Sequence, residues 1–503
     1  MKTAISFDSQ KNIANREDSE QNTWQILKHV YHEFAANSTV HGIKYTSQAK
    51  SAVGRCLWLL IVALSIIAAS QLAKEFYEKH ESANMRTLVI TNQYPSWQLG
   101  LPAITFCHSD VAAKHRLVSS AFTKKHIRYP FGLNSSDLIK SLKHLSIGIL
   151  PSNQFEKELY ALDRILFANK MELEKLVEIV RPRCRDFLVM CLFEGKAVNC
   201  ESIISESYTP YGICCSFNYA YNKNERRWNI SGNDYYTVTY GGRYILSFLL
   251  KSNGPNDRIS SIMYGDGIKV LIHDRKTYPG TSAMEFIAAT GQETVARLYG
   301  RRLTASQEVL DMKREDRGCE RSRETEDFYR ADNCYAKCQE NIFWHFCGCL
   351  PFFSYERRPY QAFCNITHIS CLTRIKPKAY SLVLNDPNCG CLPDCENSMY
   401  SLTTTSLPFN APQFNPSPFY KKASKLTNPT AIHVTYSEQS AMLQRRELVL
   451  SWINLVSSLG GVFSLFLGCS FVSIIEIIYF FVIYFGMKLR EARQARINSF
   501  RTA

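Results

Sequence analysis

Near the C-terminal end of the sequence, three small residues and one carboxylate lie within a long apolar run. Residues 448–487 are forty residues long, and Glu476 is the one formally charged side chain among them. Gly468, Cys469 and Ser470 are consecutive, and Ser470 precedes Glu476 by six positions. Backbone carbonyls at a helix break can replace part of an ion's hydration shell, and a carboxylate facing water inside a membrane attracts cations. These residue types at this spacing indicate a candidate ion path.

The length of this apolar run also indicates an interrupted helix. A continuous helix of forty residues would measure about 60 Å, whereas the hydrocarbon core of a membrane is about 30 Å thick. A long helix could project outward instead, and Gly460 and Gly461 could serve helix–helix packing without a pore. Glu476 could also snorkel from a helix end, although eleven uncharged residues follow it. With one such helix per chain, an ion path would require a symmetric oligomer.

A second apolar run defines the expected membrane topology. Residues 56–73 carry no charge and can span a membrane once, and residues 1–23 contain no apolar core of a cleaved signal. Basic residues flank the two runs on their outer sides: Lys44, Lys50 and Arg55 before the first, and Lys488, Arg490, Arg493 and Arg496 after the second. We therefore expect cytosolic termini in the plasma membrane and an extracellular segment over residues 74–447.

The distribution of cysteines supports the same topology. Two of the 18 cysteines, Cys56 and Cys469, lie within the apolar runs, and the others all lie between the runs. Residues 334–395 are especially rich in cysteine. Zinc is an alternative, but histidines at ligand spacing are missing, so we expect a disulfide framework and no metal. Asn134, Asn229 and Asn365 begin glycosylation sequons in the same segment.

The overall composition excludes several classes of protein. The hydrophobic fraction of 46% and the mean hydropathy of -0.19 fit neither a disordered chain nor a transporter with many spans. The net charge of +14 is dispersed and lacks an aromatic-basic stripe, so we expect no nucleic-acid partner. The membrane lipid is the partner that the apolar runs require.

Between the two runs, the sequence predicts a mixture of helices and strands. The pattern predicts a buried strand at 101–107 and helical structure over most of 111–183 and again over 304–345. Alternating or β-branched stretches at 234–250 and 267–274 predict strands. Residues 430–438 predict a final strand before the second apolar run.

Several short motifs resemble one family of ion channels. "GGVFSLFLGCSFVSIIEIIYF" is similar to the second transmembrane signature of the degenerin/epithelial sodium channel family. Family motifs recur in order in His41-Gly42, "LPAITFC", "TPYGICCSFN", "GQETV", Arg317-x-Cys319 and "CGCLPDC". The adjacent Cys214 and Cys215 resemble the insect pickpocket branch most. The resemblance covers residues 40 to 485.

The resemblance implies a fold and a set of domains. The fold would have two transmembrane helices, the second broken at the filter, and a large disulfide-rich α+β ectodomain with a β-sheet palm and helical finger and thumb regions. The expected segments are a cytosolic N-terminal segment (1–54), a first transmembrane helix (55–76), an extracellular domain (77–447), a second transmembrane helix (448–487) and a cytosolic tail (488–503). Within the extracellular domain, 111–183 would be finger-like and 304–395 thumb-like.

The same resemblance implies a function and roles for particular residues. The protein would be a subunit of a trimeric, voltage-independent, amiloride-sensitive, sodium-preferring cation channel in a homomeric or heteromeric assembly. Na+ would be the permeant ion and no cofactor would be needed. The implied selectivity filter is Gly468, Cys469 and Ser470, and the implied pore and gating residues are Ser457, Gly460, Gly461, Glu476, His41 and Gly42. The extracellular ligand or mechanical stimulus that opens the channel in sensory transduction stays unidentified.

The resemblance also implies a pairing of the cysteines. The pairs are Cys107-Cys214, Cys184-Cys215, Cys191-Cys200, Cys319-Cys395, Cys334-Cys391, Cys338-Cys389, Cys347-Cys371 and Cys349-Cys364.

Three other classes remain as alternatives. An ATP-gated purinergic channel shares two spans and a cysteine-rich ectodomain but lacks the ordered motifs. A non-conducting or accessory membrane receptor subunit would need only one span and no broken helix. An ecto-enzyme could use His273 and Asp274, but no nucleophile motif accompanies them, so we expect no enzymatic activity.

Overall fold

The computed structural model divides the chain into two compact units. The terminal unit comprises Met1–Arg86 and Leu448–Ala503, and the central unit comprises Thr87–Glu447. The structure describes residues 23–82, 85–120, 127–145, 156–222, 227–228, 235–280, 282–322, 328–354, 356, 360–385, 389–410 and 417–502.

The N-terminal part of the terminal unit is helical. Helices cover residues 23–37, Ile43–Gln48 and Ala52–Glu81. The third begins at Ser51, whose side chain accepts a hydrogen bond from the Gly54 N–H and so satisfies a free donor of the first turn. The predicted apolar run at 56–73 lies inside this helix.

The C-terminal part of the terminal unit is a helix interrupted at the predicted position. Helices cover Trp452–Leu467 and Phe471–Ile478, followed by a π-helix over Tyr479–Tyr484 and an α-helix over Phe485–Thr502. Two segments, Ala52–Glu81 and Phe471–Gln494, are long and apolar enough to cross a membrane. The prediction of two spanning helices with a broken second one is therefore confirmed.

The central unit contains seventeen strands in its described part. They are β1 (Met85–Pro95), β2 (Ala103–His108), β3 (Asp110–Ala113), β4 (Leu188–Phe193), β5 (Lys196–Val198), β6 (Ile204–Thr209), β7 (Gly212–Phe217), β8 (Tyr221–Asn222), β9 (Arg227–Trp228), β10 (Leu246–Leu250), β11 (Arg258–Ser261), β12 (Gly267–His273), β13 (Met284–Ala289), β14 (Gln292–Ala305), β15 (Asn397–Pro408), β16 (Thr430–Tyr436) and β17 (Ser440–Leu448), the first and last of which extend into the terminal unit.

Thirteen of these strands form two large sheets, and the pairs β3–β11 and β8–β9 form two small ones. In the first large sheet, β14 pairs antiparallel with β15 and parallel with both β16 and β17. Beyond β16 the order continues through β10, β4 and β5, and β17 also pairs with β1. The second sheet has the order β13-β12-β2-β7-β6. A buried apolar cluster with members from both sheets includes Phe106, Phe217 and Phe248, and the rings of Phe106 and Phe248 meet edge to face at 4.7 Å. Burial of aromatic surface stabilises this core.

Helices surround the two sheets in the central unit. The described helices are Lys114–Ser119, Ser135–Leu142, Glu156–Ala168, Leu173–Val180, Cys184–Phe187, Cys200–Ile203, Gln307–Leu310, Arg314–Arg317, Ala331–Cys347, Ile369–Asn385 and Pro418–Ala423. Those between residues 135 and 180 bury one apolar face, with Leu162, Ile165 and Leu176 fully buried. The central unit is thus a mixed helix and sheet domain, as predicted.

Eight disulfides cross-link the central unit. They join Cys107–Cys214, Cys184–Cys215, Cys191–Cys200, Cys319–Cys395, Cys334–Cys391, Cys338–Cys389, Cys347–Cys371 and Cys349–Cys364. These are the same eight pairs that the family resemblance implies. Five of the pairs lie within residues 319–395, where they hold helices Ala331–Cys347 and Ile369–Asn385 beside a small apolar cluster.

The structure corrects three of the predictions from sequence patterns. Residues 430–438 do not form the last strand, because β17 follows and pairs with β14. Within the predicted stretch 234–250, of which the structure describes 235–250, only Leu246–Leu250 of the described residues forms a strand, and Tyr240 forms an isolated bridge. Residues 304 and 305 end β14 rather than begin a helix. Pairing with distant segments decided the conformation of β17 and of residues 304 and 305.

Candidate functional site

The break in the second apolar helix is encoded by the residues at the break. Gly468 ends helix Trp452–Leu467 with φ 62°, a left-handed conformation that only glycine adopts without strain. Ser470 then begins the next helix. Its Oγ accepts from the Ser473 N–H at 3.3 Å, and its own N–H donates to Ser473 Oγ at 3.1 Å. A glycine stop and a reciprocal serine cap therefore interrupt the helix at the three residues predicted as a filter.

A turn of the N-terminal segment lies against this break. The backbone N–H of His41 donates to the carbonyl oxygen of Leu467 at 2.8 Å. The imidazole ring of His41 occupies the space that a Cβ on Gly468 would need, since that Cβ would lie 1.5 Å from Nδ1. The His41 ring can therefore occupy this position only because residue 468 has no Cβ.

The second residue of the predicted motif, Gly42, has a similar steric role. Gly42 has φ 83°, and a Cβ on it would lie 2.9 Å from Cγ2 of Val62 on the first long helix. Three residues later, the ring of Tyr45 stacks on Trp58 of the same helix at 4.7 Å. The His41-Gly42 turn thus packs between helix Ala52–Glu81 and the helix break at Gly468–Ser470.

The carboxylate of Glu476 is bound by the same turn. Its Oε2 accepts from the backbone N–H of Thr39 at 3.2 Å and from the Thr39 hydroxyl at 3.0 Å. The Ser473 hydroxyl lies 2.7 Å from Thr39 Oγ1, and Ser473 is fully buried. Because the Thr39 proton goes to Glu476, Ser473 donates to Thr39. Hydrogen bonds to a charged acceptor contribute about 1.5–3 kcal/mol.

Sequence reasoning missed both Thr39 and Ser473. Ser473 could have been found, since it lies three residues after Ser470 and three before Glu476 on one helix, where side chains share a face. Thr39 precedes His41 by two residues, but nothing local in the sequence signals its contact with a residue 437 positions away.

Aromatic contacts hold the N-terminal helix beside the π-helix. The ring of Phe34, which is 4% exposed, meets Phe480 at 5.7 Å and Phe481 at 5.1 Å, both edge to face. Both partners belong to the π-helix Tyr479–Tyr484, and π-turns inside α-helices occur frequently at functional sites. The residues from 34 to 42 therefore contact the second apolar helix from its break to its π-helix.

The small residues predicted in the pore lie on an exposed face of the single chain. Ser457, Gly460 and Gly461 are exposed. A Cβ added to either glycine would meet no atom within 4 Å. Their face of helix Trp452–Leu467 is not covered by the described part of this chain.

The remaining predicted positions lie on the surface or outside the described residues. Cys469 is half-buried and Cys56 exposed, and both are free thiols. Asn134 and Asn365 are exposed at the starts of helical turns, and Asn134 caps its helix through Oδ1. Asn229 lies outside the described residues. No group of three or more His, Cys, Asp or Glu side chains within the described ranges could hold a metal ion.

In the candidate enzymatic pair His273-Asp274, the histidine is buried and hydrogen-bonded. His273 is 4% exposed, its Nδ1 donates to the carbonyl oxygen of Asp274 at 2.9 Å, and its Nε2 lies 2.9 Å from Thr105 Oγ1. Burial lowers the pKa of His273 to about 4, so the ring is neutral at physiological pH. Both ring nitrogens are engaged in the protein interior.

The fold and this site define a class of protein. Two helices of membrane-spanning length flank a disulfide-rich α+β unit in the sequence. A break at Gly468–Ser470 separates the second of them from helix Trp452–Leu467, and Glu476 lies shortly after the break. This is the organisation of a two-span ion-channel subunit. A family model described as "Amiloride-sensitive sodium channel" matches residues 34–480. The chain belongs to this family, which is the degenerin/epithelial sodium channel family.

Individual relatives agree with this assignment. The chain is 28% identical over 483 residues to "Sodium channel protein Nach" of Drosophila melanogaster, and the match covers 90% of this chain and 87% of the relative. It is 25% identical over 461 residues to "Pickpocket protein 11" of the same species, covering 90% and 75%. It is 24% identical over 497 residues to the human "Bile acid-sensitive ion channel", covering 92% and 89%.

A solved structure of a proton-activated chloride channel aligns with 85% of this chain and 96% of its own chain. The TM-score of 0.24 and the identity of 9% are too low to define a shared fold.

Proposed function

We propose that this chain is one subunit of a trimeric, voltage-independent, sodium-preferring cation channel of the plasma membrane. The helix break at Gly468–Ser470 carries the proposal. Three such breaks around a common axis would present backbone carbonyls to a permeating ion, and carbonyl oxygens can replace its hydration shell. Glu476, one and a half to two turns beyond the break, would add a carboxylate from each subunit below this constriction.

The uncovered face of helix Trp452–Leu467 supports an oligomeric arrangement. Ser457, Gly460 and Gly461 lie on it and are exposed, and a Cβ on either glycine would meet no atom within 4 Å. Small residues allow helices to approach closely in a membrane. This face would meet the same face of neighbouring subunits, in a homotrimer or in a trimer with related channel subunits.

The N-terminal turn would couple the cytosolic segment to the filter. His41 donates to Leu467, its ring covers Gly468, and Thr39 binds Glu476. A movement of residues 38–42 must therefore change the environment of both the break and the carboxylate. This is the geometric basis on which His41 and Gly42 would act in gating.

The disulfides support an extracellular position for the central unit. Eight disulfides persist only in an oxidising compartment. Both termini would then be cytosolic, and the exposed sequons at Asn134 and Asn365 would be accessible to glycosylation. The opening stimulus would be an extracellular chemical or a mechanical force in sensory transduction.

The proposal is tested by recording currents from the full chain, expressed alone and with related subunits. We expect an inward current that amiloride blocks and that disappears when external Na+ is replaced by N-methyl-D-glucamine. A current that persists unchanged after the replacement would refute sodium selectivity. Surface protein without current under any subunit combination or candidate stimulus would instead favour a non-conducting or accessory receptor subunit.

A substitution on the uncovered face tests the closed pore directly. Ser457→Val adds volume where three helices are proposed to meet, so it should disfavour closure and produce a constitutive sodium current. Ser458→Val adds the same volume one residue further along the helix and should stay close to the wild-type protein. Equal constitutive currents in both variants would refute the assignment of Ser457 to the axis.

A further inference from the structure

The central unit contains a cavity that its own residues line. The cavity has a volume of about 560 Å³ and lies at the N-terminal end of helix Ala331–Cys347, against the start of β15 and the end of β17. Ligand pockets for small molecules typically measure about 300–1,000 Å³. Because the cavity has ligand-binding size, the polar groups in its wall indicate what it could hold.

One wall of the cavity carries two guanidinium groups with unused hydrogen-bonding capacity. Arg330 is 8% exposed, and its Nη1 donates to Ser322 Oγ at 2.7 Å and to the Glu396 carbonyl at 3.1 Å. Its buried Nε has no hydrogen-bond partner, and the nearest carboxylate, Asp274, is 3.8 Å away. Arg446 makes no side-chain hydrogen bond to another described residue; burial lowers its pKa, and the charge of Asp394 offsets part of this effect.

The cavity wall also carries one acceptor without a donor and two carboxylates with unused acceptor capacity. Oδ1 of Asn397 is buried without a hydrogen-bond partner. Asp394, 8% exposed, accepts one hydrogen bond from the Ala331 N–H at 3.2 Å, and Asp332 accepts one from the hydroxyl of Ser282. Burial raises the pKa of Asp394 to about 6 and raises the pKa of Asp332 as well. Asp394 also lies 4.0 Å from Nη1 of Arg330. A bound ammonium group would therefore add hydrogen-bond donors to two carboxylates that each accept one hydrogen bond.

The other part of the wall is apolar. Leu303, Met284 and Met399 face the same cavity. Unpaired buried donors and acceptors each cost about 1–3 kcal/mol. A ligand that brings one anionic group, one cationic group and an aliphatic portion would therefore complement the whole wall.

We propose that this cavity binds a small extracellular zwitterion, namely an apolar α-amino acid or a dipeptide of such residues. The ligand carboxylate would bind Arg330 Nε and Arg446. The ligand ammonium group would lie among Asp332, Asp394 and Asn397 Oδ1, and its side chain would pack on Leu303, Met284 and Met399. The assignment is independent of ion conduction, because it concerns binding to the central unit.

The test is calorimetric titration of the purified full-length protein with four probes. L-Leucine and L-leucyl-L-leucine carry both charges, 3-methylbutylamine lacks the carboxylate, and 4-methylpentanoate lacks the amine. We expect saturable binding of leucine or of the dipeptide, at least tenfold tighter than that of either singly charged probe. The absence of saturable binding of both zwitterions would show that the cavity holds water only and would overturn the proposal.

Two variants separate this binding mode from its alternatives. Arg446→Met and Asn397→Val should each weaken zwitterion binding by about tenfold while the melting temperature confirms that the protein is folded. Arg445→Met, which changes the exposed neighbouring residue on β17, should leave binding unchanged. If 3-methylbutylamine bound as tightly as leucine and Arg446→Met had no effect, the cavity would be an organic-cation site and the zwitterion would be excluded.

Discussion

The hydroxyl group of Thr39 donates a hydrogen bond of 3.0 Å to Glu476, although the two residues are 437 positions apart. The backbone N–H of Thr39 donates to the same carboxylate oxygen at 3.2 Å. The carboxylate of the second apolar helix is therefore stabilised by two hydrogen bonds from the N-terminal segment of its own chain. The position of residues 38–42 thus depends on a membrane-helix carboxylate.

Removal of the Thr39 hydroxyl should loosen the N-terminal turn. Thr39→Val keeps the side-chain shape but leaves Glu476 with one donor fewer, at a cost of about 1.5–3 kcal/mol. We expect hydrogen exchange of the amides in residues 38–42 to become about tenfold faster or more, measured by mass spectrometry on the full-length protein. Thr39→Ser keeps the donor and should exchange like the wild type. Equal exchange in Thr39→Val and Thr39→Ser would contradict this role.

A methyl group at position 468 should displace the histidine from the break. In Gly468→Ala the new Cβ would collide with the His41 ring, and the left-handed backbone would cost a further ~1–2 kcal/mol. We expect a lower melting temperature and a loss of current per surface channel. Gly486→Ala, where a Cβ meets no atom within 4 Å, is the matched control.

A second substitution tests whether the collision is the cause. Adding His41→Ala to Gly468→Ala removes the ring and should restore part of the lost melting temperature, because only the backbone strain remains. If the double variant melted at or below the temperature expected from two independent losses, contact between these residues would not explain the effect.

The buried His273 should make the central unit sensitive to acid. Burial lowers its pKa from 6.5 to about 4, so between these pH values the unfolded chain binds more protons than the folded one. The free energy of unfolding should therefore fall as the pH is lowered from 6.5 to 4, by up to about 3 kcal/mol from this residue. His273→Gln should reduce the pH dependence of the melting temperature, and an unchanged slope would rule out His273 as its source.

The disulfides should differ in their contribution to stability according to the loop that each closes. Cys107 and Cys214 are 107 residues apart, whereas Cys191 and Cys200 are 9 apart. In the chain-entropy model, loss of the first pair costs about 4–5 kcal/mol and loss of the second about 2–3 kcal/mol. Paired Cys→Ala variants should show this order in denaturant unfolding. The reverse order would show that native packing outweighs loop closure.

Local sequence signals determined much of the candidate site. Gly468 and Ser470 stop and restart a helix through their own backbone and side-chain preferences, so the break could be predicted from neighbouring residues alone. The two apolar runs and the confinement of paired cysteines to the segment between them are likewise properties of composition. Each of these features is decided within a few residues or by the chemistry of one compartment.

Only the tertiary structure decided which distant segments meet at those features. It brings His41 into contact with Gly468 and Thr39 into hydrogen-bonding distance of Glu476. It also brings Arg446 and Asn397 into the wall of one cavity. Ser440–Leu448 forms a strand although its sequence lacks a clear local pattern. Residues 235–239 form no strand although polar and apolar residues alternate there. Contacts between residues far apart in the chain depend on how whole elements pack, and no short stretch of sequence contains that information.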